Sequence, residues 1–256
     1  MTAVLRPIKI AVIGATGSVG GAVLDIISRF PERFEAVALA ARSSSEKLLE
    51  LASRFGAKYA CLDSPSAEER ASFSQLGTEL LSGRSGLEDI AGMPGTDHVV
   101  FASSGTGAIT ALLRALSSGR DVSIANKESI AAAGPWVMPL ASRPDQIRPL
   151  DSEHNAIWQC LSGEKSRPSR ILLTASGGPF RNFTLGEMER VTPKDALAHP
   201  VWRMGAKITI DSASLMNKGI ECIEAMQLFG MPHDRVGAVI HPGSLVHGIV
   251  FFMDGT

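Results

Sequence analysis

Cysteine is scarce: only Cys61, Cys160 and Cys222 occur in 256 residues, and no two of them form a Cys-x-x-Cys pair. An odd, widely spaced set excludes a disulfide framework and a cysteine zinc site, and it fits a reducing cytoplasm. Charge of one sign is also missing, because 25 Lys plus Arg against 26 Asp plus Glu leave a net −1 with no run of like charges. That balance removes the electrostatic footprint of a nucleic-acid or membrane-surface binder, so neither partner is expected, whereas a charged small molecule fits. No run reaches the roughly 18 apolar residues needed to span a bilayer. Arg6 and Lys9 ahead of the uncharged stretch from Ile10 to Leu24 imitate a signal peptide, but Gly14, Gly17, Gly20 and Gly21 interrupt it, and the start reads as mature structure. What remains, 45% hydrophobic and 20% charged residues, excludes wholesale disorder and suffices for one large domain or two smaller ones.

From Ile8 to Ile124 short β-branched runs alternate with helix-length segments, the pattern of a parallel sheet covered by helices in a Rossmann-like α/β fold. Strands are expected at Ile8–Ile13, Phe34–Leu39, His98–Phe101 and Val122–Ile124, and capping boxes at Ser66-x-x-Glu69 and Ser85-x-x-Glu88 mark helix starts. A change of composition near Pro144–Pro149 places a boundary between a dinucleotide-binding domain at 1–149 and an α+β domain at 150–256. In the second part Thr192-Pro193 reads as an N-cap with proline at the first helical position. Leu215 to Phe229 reads as a helix closed by Gly230, with Pro232 beyond. Leu245 to Met253 reads as a strand running into the hairpin turn Asp254-Gly255. No return strand follows, so truncation relative to a complete fold is expected.

The first strand runs into Gly14-Ala15-Thr16-Gly17-Ser18-Val19-Gly20, with a helical segment behind it. Glycines let a backbone turn tightly and approach a pyrophosphate, which the N–H groups and positive end of the helix then neutralise. A glycine-rich structural turn is the alternative, and the strand-loop-helix setting argues against it. About 20 residues further on, where NAD-binding proteins of this type carry Asp or Glu for the ribose hydroxyl, stand Arg42-Ser43-Ser44. A guanidinium and two hydroxyls accept a 2′-phosphate that a carboxylate would repel, so NADP is favoured over NAD. A solvated Arg42 with Ser44 or Ser45 capping the next helix is the other account, and both can hold together.

Asp151 and Glu153 flank Ser152, with His154 and Asn155 next. On an extended segment or strand end the two acids could converge on one divalent cation, magnesium or manganese by their hard oxygen ligands; alone, D-S-E is more often a surface turn. On the second-part helix Asn217, Glu221 and Glu224 fall at i, i+4 and i+7, with Lys218 beside them. A solvated Lys218–Glu221 pair has its lysine in the less favourable order. A phosphate held by Asn217 and Lys218, with Glu221 reaching a metal, accounts for the pattern better. Thr174 to Phe180 forms a small-residue loop able to present donors to phosphate, or an ordinary turn. His199-Pro200-Val201-Trp202-Arg203-Met204-Gly205 reads as a mobile lid, with Trp202 and Met204 as core packing the alternative.

G-A-T-G-S-V-G, A-N-K-E-S at 125–129, L-D-S-E-H-N-A-I-W-Q at 150–159, T-A-S-G-G-P-F at 174–180, H-P-x-W-x-M-G at 199–205 and D-S-A-S-L-M-N-K-G-I-E at 211–221 together resemble the 1-deoxy-D-xylulose 5-phosphate reductoisomerase family. The resemblance covers nearly the whole chain and about the first two thirds of the family's length. It implies NADPH-dependent, divalent-metal-dependent rearrangement and reduction of 1-deoxy-D-xylulose 5-phosphate to 2-C-methyl-D-erythritol 4-phosphate in non-mevalonate isoprenoid synthesis. The metal would be Mg²⁺ or Mn²⁺, with Co²⁺ a further candidate, and the full-length protein a cytoplasmic homodimer. By the same resemblance Asp151, Glu153 and Glu221 would bind the metal, and Ser176, Ser212, Asn217 and Lys218 the substrate phosphate. Ser152, Lys127 and His199 would touch the rest of the sugar, with Glu153, Lys127 and His199 catalytic. Thr16, Gly17, Ser18, Val19, Arg42, Ser43, Ser44, Asn126, Glu128 and Gly205 would contact NADPH, and Trp202 and Met204 would belong to a flap.

The family's H-P-Q-S stands here as His241-Pro242-Gly243-Ser244, and its C-terminal helical domain is missing from the sequence. Two rivals stand: a semialdehyde-type dehydrogenase, which needs a nucleophilic cysteine that no context here supplies, and a non-catalytic NADPH-binding fragment or paralogue.

Overall fold

The structure, a computed structural model, describes residues 6–198 and 205–256. The chain forms two compact units, Met1–Arg148 and Pro149–Thr256. In the first, strands and helices alternate as β1 (Ile8–Ile13), α1 (Ser18–Arg29), β2 (Phe34–Ala40), α2 (Ser45–Phe55), β3 (Tyr59–Leu62), α3 (Ala67–Leu76), β4 (Glu79–Ser82), α4 (Gly83–Gly92), β5 (His98–Phe101), α5 (Ile109–Ser117), β6 (Asp121–Ile124), α6 (Lys127–Val137) and β7 (Ile147–Pro149).

These strands make one seven-stranded sheet in the order β4-β3-β2-β1-β5-β6-β7, and β1 to β6 pair in parallel. Parallel strands are covered on both faces and so read as unbroken apolar runs. Val37 to Ala40 and Ile10 to Ile13 are accordingly all buried. Leu24 and Ile27 of α1, Leu48 and Ala52 of α2 and Phe73 of α3 close one side of the core. The order reverses beside β1, where β2 lies on one side and β5 on the other; in open α/β sheets this is where ligands settle, outside the carboxyl ends of the strands.

The expected strands and the Ser66–Glu69 capping box are all present, the box with both reciprocal hydrogen bonds. Ser85-x-x-Glu88 is not a cap. Its helix starts at Gly83 behind an extended Ser82, so Ser85 is already helical and cannot take the non-helical backbone a cap requires.

The second unit contains α7 (Ser152–Leu161), β8 (Pro168–Ala175), α8 (Leu185–Met188), α9 (Pro193–Leu197), α10 (Ala206–Ala213), α11 (Met216–Phe229), β9 (Val236–Ile240) and β10 (Gly248–Phe252). Its sheet runs β10-β8-β9, with β10 antiparallel and β9 parallel to the central β8. Ile157 of α7 and Ala225 of α11 pack on Ile171 and Leu173 of β8. Thr192 caps α9 through a box with Asp195, and Gly230 closes α11 in the left-handed region. The strand expected from Leu245 begins only at Gly248; ahead of it the Thr174 hydroxyl donates to the Val246 carbonyl and the Leu245 N–H to Nε2 of His241, side-chain bonds in place of ladder bonds. No helix among the described residues is long and apolar enough to cross a membrane.

Candidate active site

Asp151 is the N-cap of α7, and Glu153 lies in the first helical turn. The sequence suggested a strand end or extended segment here; a helix start is the better host, since its positive end stabilises both carboxylates. Asp151 makes no capping bond. Its Oδ2 instead lies 3.0 Å from Nδ1 of His154, one turn on. Ser152 donates to Glu153 at 2.6 Å.

The opposing wall is α11. Leu215 enters it with a left-handed backbone, and Asn217 and Lys218 stand in a first turn that holds no acid. Lys218 and Glu221 are only 7% and 1% exposed, so the solvated ion pair that the sequence left open is excluded. The Lys218 ammonium donates to Glu153 Oε1 at 2.7 Å and pairs with Glu221, whose other oxygen accepts from Asn217. Burial works against the charged lysine, but Glu221 and Glu153 outweigh it and raise its pKa.

One oxygen each of Asp151, Glu153 and Glu221 lies within 4.8 Å of the other two, on residues far apart in the chain. A second cluster shares Asp151 and adds His154 and Glu224. His154 is fully buried; its Nε2 sits 2.9 Å from the Glu221 carbonyl and its Nδ1 3.3 Å from Glu224. Burial pulls the imidazole pKa down, yet the hydrogen bond to Asp151 and the charges of Glu224 and Asp151 carry it up to about 9. Both ring nitrogens then donate. Asp151, Glu153, Glu221 and Glu224 thus gather around His154 and Lys218, and a cluster in which acids outnumber bases is what a hard divalent cation would neutralise. The donor set fits magnesium or manganese.

The carboxylates open onto a cavity of about 260 Å³, lined also by Ser152, Ser176, Ser212, Asn217 and Lys218. Ser176 follows β8 on the small-residue loop, and Gly178 brings that loop against α10. Its φ is +68°, and a Cβ there would stand 2.7 Å from the Ser212 carbonyl, so only glycine allows the approach. Eight residues singled out in the sequence thus line one cavity. Ser244 and His247 line it too, unassigned from sequence; His154 and Glu224 stand behind it.

The cofactor candidates lie mainly in the first unit. Gly14 N–H bonds the Ala40 carbonyl, and Gly20 fits only without a side chain, since a Cβ would meet the Gly14 carbonyl at 2.2 Å. Thr16 is half-buried, and Gly17, Ser18 and Val19 are exposed at the open start of α1, whose first turn carries no acid. Arg42, Ser43 and Ser44 are exposed at the end of β2. Asn126 caps α6 through Ser129 N–H and donates to the Ser103 and Gly105 carbonyls; Lys127 behind it is buried and Glu128 half-buried. Gly205, in the second unit, precedes α10. His199, Trp202 and Met204 lie outside the described residues.

A parallel Rossmann-like α/β unit, followed by an α+β unit whose partly buried acid cluster borders a hydroxyl-lined cavity, defines the class: a two-unit α/β protein whose second unit has the donor set to suit a cation and an anion. The family model for 1-deoxy-D-xylulose 5-phosphate reductoisomerase matches residues 10–134, and that for the C-terminal domain of the same family matches 147–229. The chain is 45% identical to the 1-deoxy-D-xylulose 5-phosphate reductoisomerase of Thermomicrobium roseum, with 96% of this chain and 64% of that protein covered. Against the protein of the same name from Heliobacterium modesticaldum it is 45% identical, covering 97% of this chain and 65% of the relative. A solved structure of the enzyme from Zymomonas mobilis in complex with NADPH superposes with a TM-score of 0.88 at 39% identity, over 98% of this chain and 66% of that one. DOX-P reductoisomerase in complex with NADPH, fosmidomycin and magnesium gives 0.87 at 38%, over 97% and 64%. The chain belongs to the 1-deoxy-D-xylulose 5-phosphate reductoisomerase family and spans about two thirds of its relatives' length.

Proposed function

We propose that this protein converts 1-deoxy-D-xylulose 5-phosphate to 2-C-methyl-D-erythritol 4-phosphate with NADPH and a divalent cation. The observation that carries the proposal is the meeting of Asp151, Glu153 and Glu221 within 4.8 Å beside buried Lys218. Magnesium is named with three solved structures of DOX-P reductoisomerase and NADPH with two of the solved relatives, which supports the same pair here. The three acids would hold the cation, which as a Lewis acid would polarise the sugar's ketone for the rearrangement and the resulting branched aldehyde for reduction by hydride from NADPH.

The remaining work belongs to the chain. Ser176, Ser212, Asn217 and Lys218 anchor the phosphate, and the first turn of α11 adds its N–H groups and positive end. That remote binding energy fixes the carbon skeleton for the rearrangement. Ser152 orients Glu153 through its 2.6 Å hydrogen bond, and Lys127 and His199 meet the sugar's polar groups. His154 pins Asp151 and, through the Glu221 carbonyl, holds α11 against α7. Thr16 to Val19, Arg42 to Ser44, Asn126, Glu128 and Gly205 hold the dinucleotide. We also propose a homodimer in a reducing cytoplasm; the three cysteines are free, and Ile240 and Phe251 on the second sheet are 47% and 42% exposed.

The semialdehyde-dehydrogenase rival is disfavoured, since among the described residues no cysteine lines the cavity and burial raises the thiol pKa of both Cys61 and Cys222. NADPH oxidation with the sugar phosphate, with and without Mg²⁺ or Mn²⁺, tests the proposal. Glu221→Gln should weaken metal-dependent sugar-phosphate binding far more than NADPH binding. Equal losses, or metal-independent turnover, would remove Glu221 from the proposed role.

A further inference from the structure

We propose that Lys47 belongs to the set that recognises the ribose phosphate of NADPH, and so helps this chain distinguish NADPH from NADH. The inference rests on the reading that the first unit binds NADPH. Lys47 is the third residue of α2, where the positive end of the helix disfavours a cation. It forms no ion pair among the described residues. Its ammonium instead donates to the Thr16 carbonyl at 2.8 Å, which places it between the glycine loop after β1 and the Arg42–Ser44 segment after β2.

Other groups at this corner are committed or open in a telling way. The Ser45 hydroxyl faces Glu69 and, with the Ser66 N–H, holds that carboxyl below its usual pKa. Ser44 occupies the N-cap position of α2 but its side chain makes no capping bond. An ammonium has three donors, and one neutral carbonyl uses a single one. Exposed Arg42 and Ser44 just after β2 and Lys47 in the first turn of α2 thus supply a guanidinium, a hydroxyl and an ammonium within six residues of chain, a set that suits a phosphate dianion and not a ribose hydroxyl.

Dissociation constants of NADPH and NADH, measured for the whole chain by nicotinamide fluorescence, test this. Lys47→Ala should weaken NADPH about tenfold or more, the scale of one charge-assisted hydrogen bond, while NADH changes little. Lys47→Arg should keep most of the preference, and the salt dependence of NADPH binding should become shallower in Lys47→Ala. Equal weakening of both dinucleotides would make Lys47 a brace for the glycine loop and overturn the proposal, as would an unchanged NADPH affinity. A wild-type chain that binds neither dinucleotide would overturn the NADPH reading itself. If Lys47→Ala does not melt cooperatively, Lys47→Gln replaces it.

Discussion

His154 shows how a single side chain can join two elements and record their charge. It has no exposed surface, and its two nitrogens reach Asp151, Glu224 and the Glu221 carbonyl. Its folded pKa, about 9, lies above the ordinary value of 6.5. The stabilisation from its protonated form is therefore complete below about pH 6.5 and is lost as pH rises through about 9, to the extent of roughly 3 kcal/mol. Lys218, raised from its ordinary 10.5, has the same sign but loses its contribution only above that pH. The melting midpoint of the metal-free chain is expected to fall steadily from about pH 7 to pH 10, and His154→Gln to lower it and flatten that slope. A wild-type midpoint that holds constant across this range would contradict the charged state. Neither His154 nor Glu224 had a role legible in the sequence, because spacing shows which residues share a helix but not which helix packs on which. Asp151, Glu153 and Glu221 were legible as a pattern only with their neighbouring motifs.

Among the elements, the glycine loop was the most readable, because glycines at fixed offsets between an apolar strand and a helix have few other uses. Gly20 carries the strictest demand: the Gly14 carbonyl 2.2 Å from a Cβ is backbone and cannot swing away. Gly20→Ala is expected to cost about 1–3 kcal/mol or more in thermal or urea unfolding and to weaken NADPH binding. A variant with native stability and affinity would show that the loop can open. The long apolar strands β1 and β2 and the short β-branched β5 and β6 were plain in the sequence, whereas β3 (Tyr-Ala-Cys-Leu) and β4 (Glu-Leu-Leu-Ser) are as short and hold no β-branched residue. Ser85-x-x-Glu88 matched a capping pattern inside a helix already begun, since spacing carries no information on backbone angles. D-S-E, which the sequence left between a surface turn and an extended segment or strand end, instead opens α7, where the helix dipole favours both acids.

For the whole molecule, a net charge of −1 conceals a local excess of negative charge in the second unit, which composition could not reveal. That excess lets cation binding by Asp151, Glu153 and Glu221 be measured without turnover. A cation bound only by the folded chain should stabilise it by about 2.7 kcal/mol at a hundredfold excess over its dissociation constant. The most direct measurement is a calorimetric titration of Mn²⁺ into the wild-type chain and into Asp151→Asn, Glu153→Gln and Glu221→Gln. One site per wild-type chain is expected, with a rise in melting temperature that tracks its occupancy and a large loss of affinity in each variant. Undiminished Mn²⁺ binding by Glu221→Gln in a folded chain would contradict that expectation.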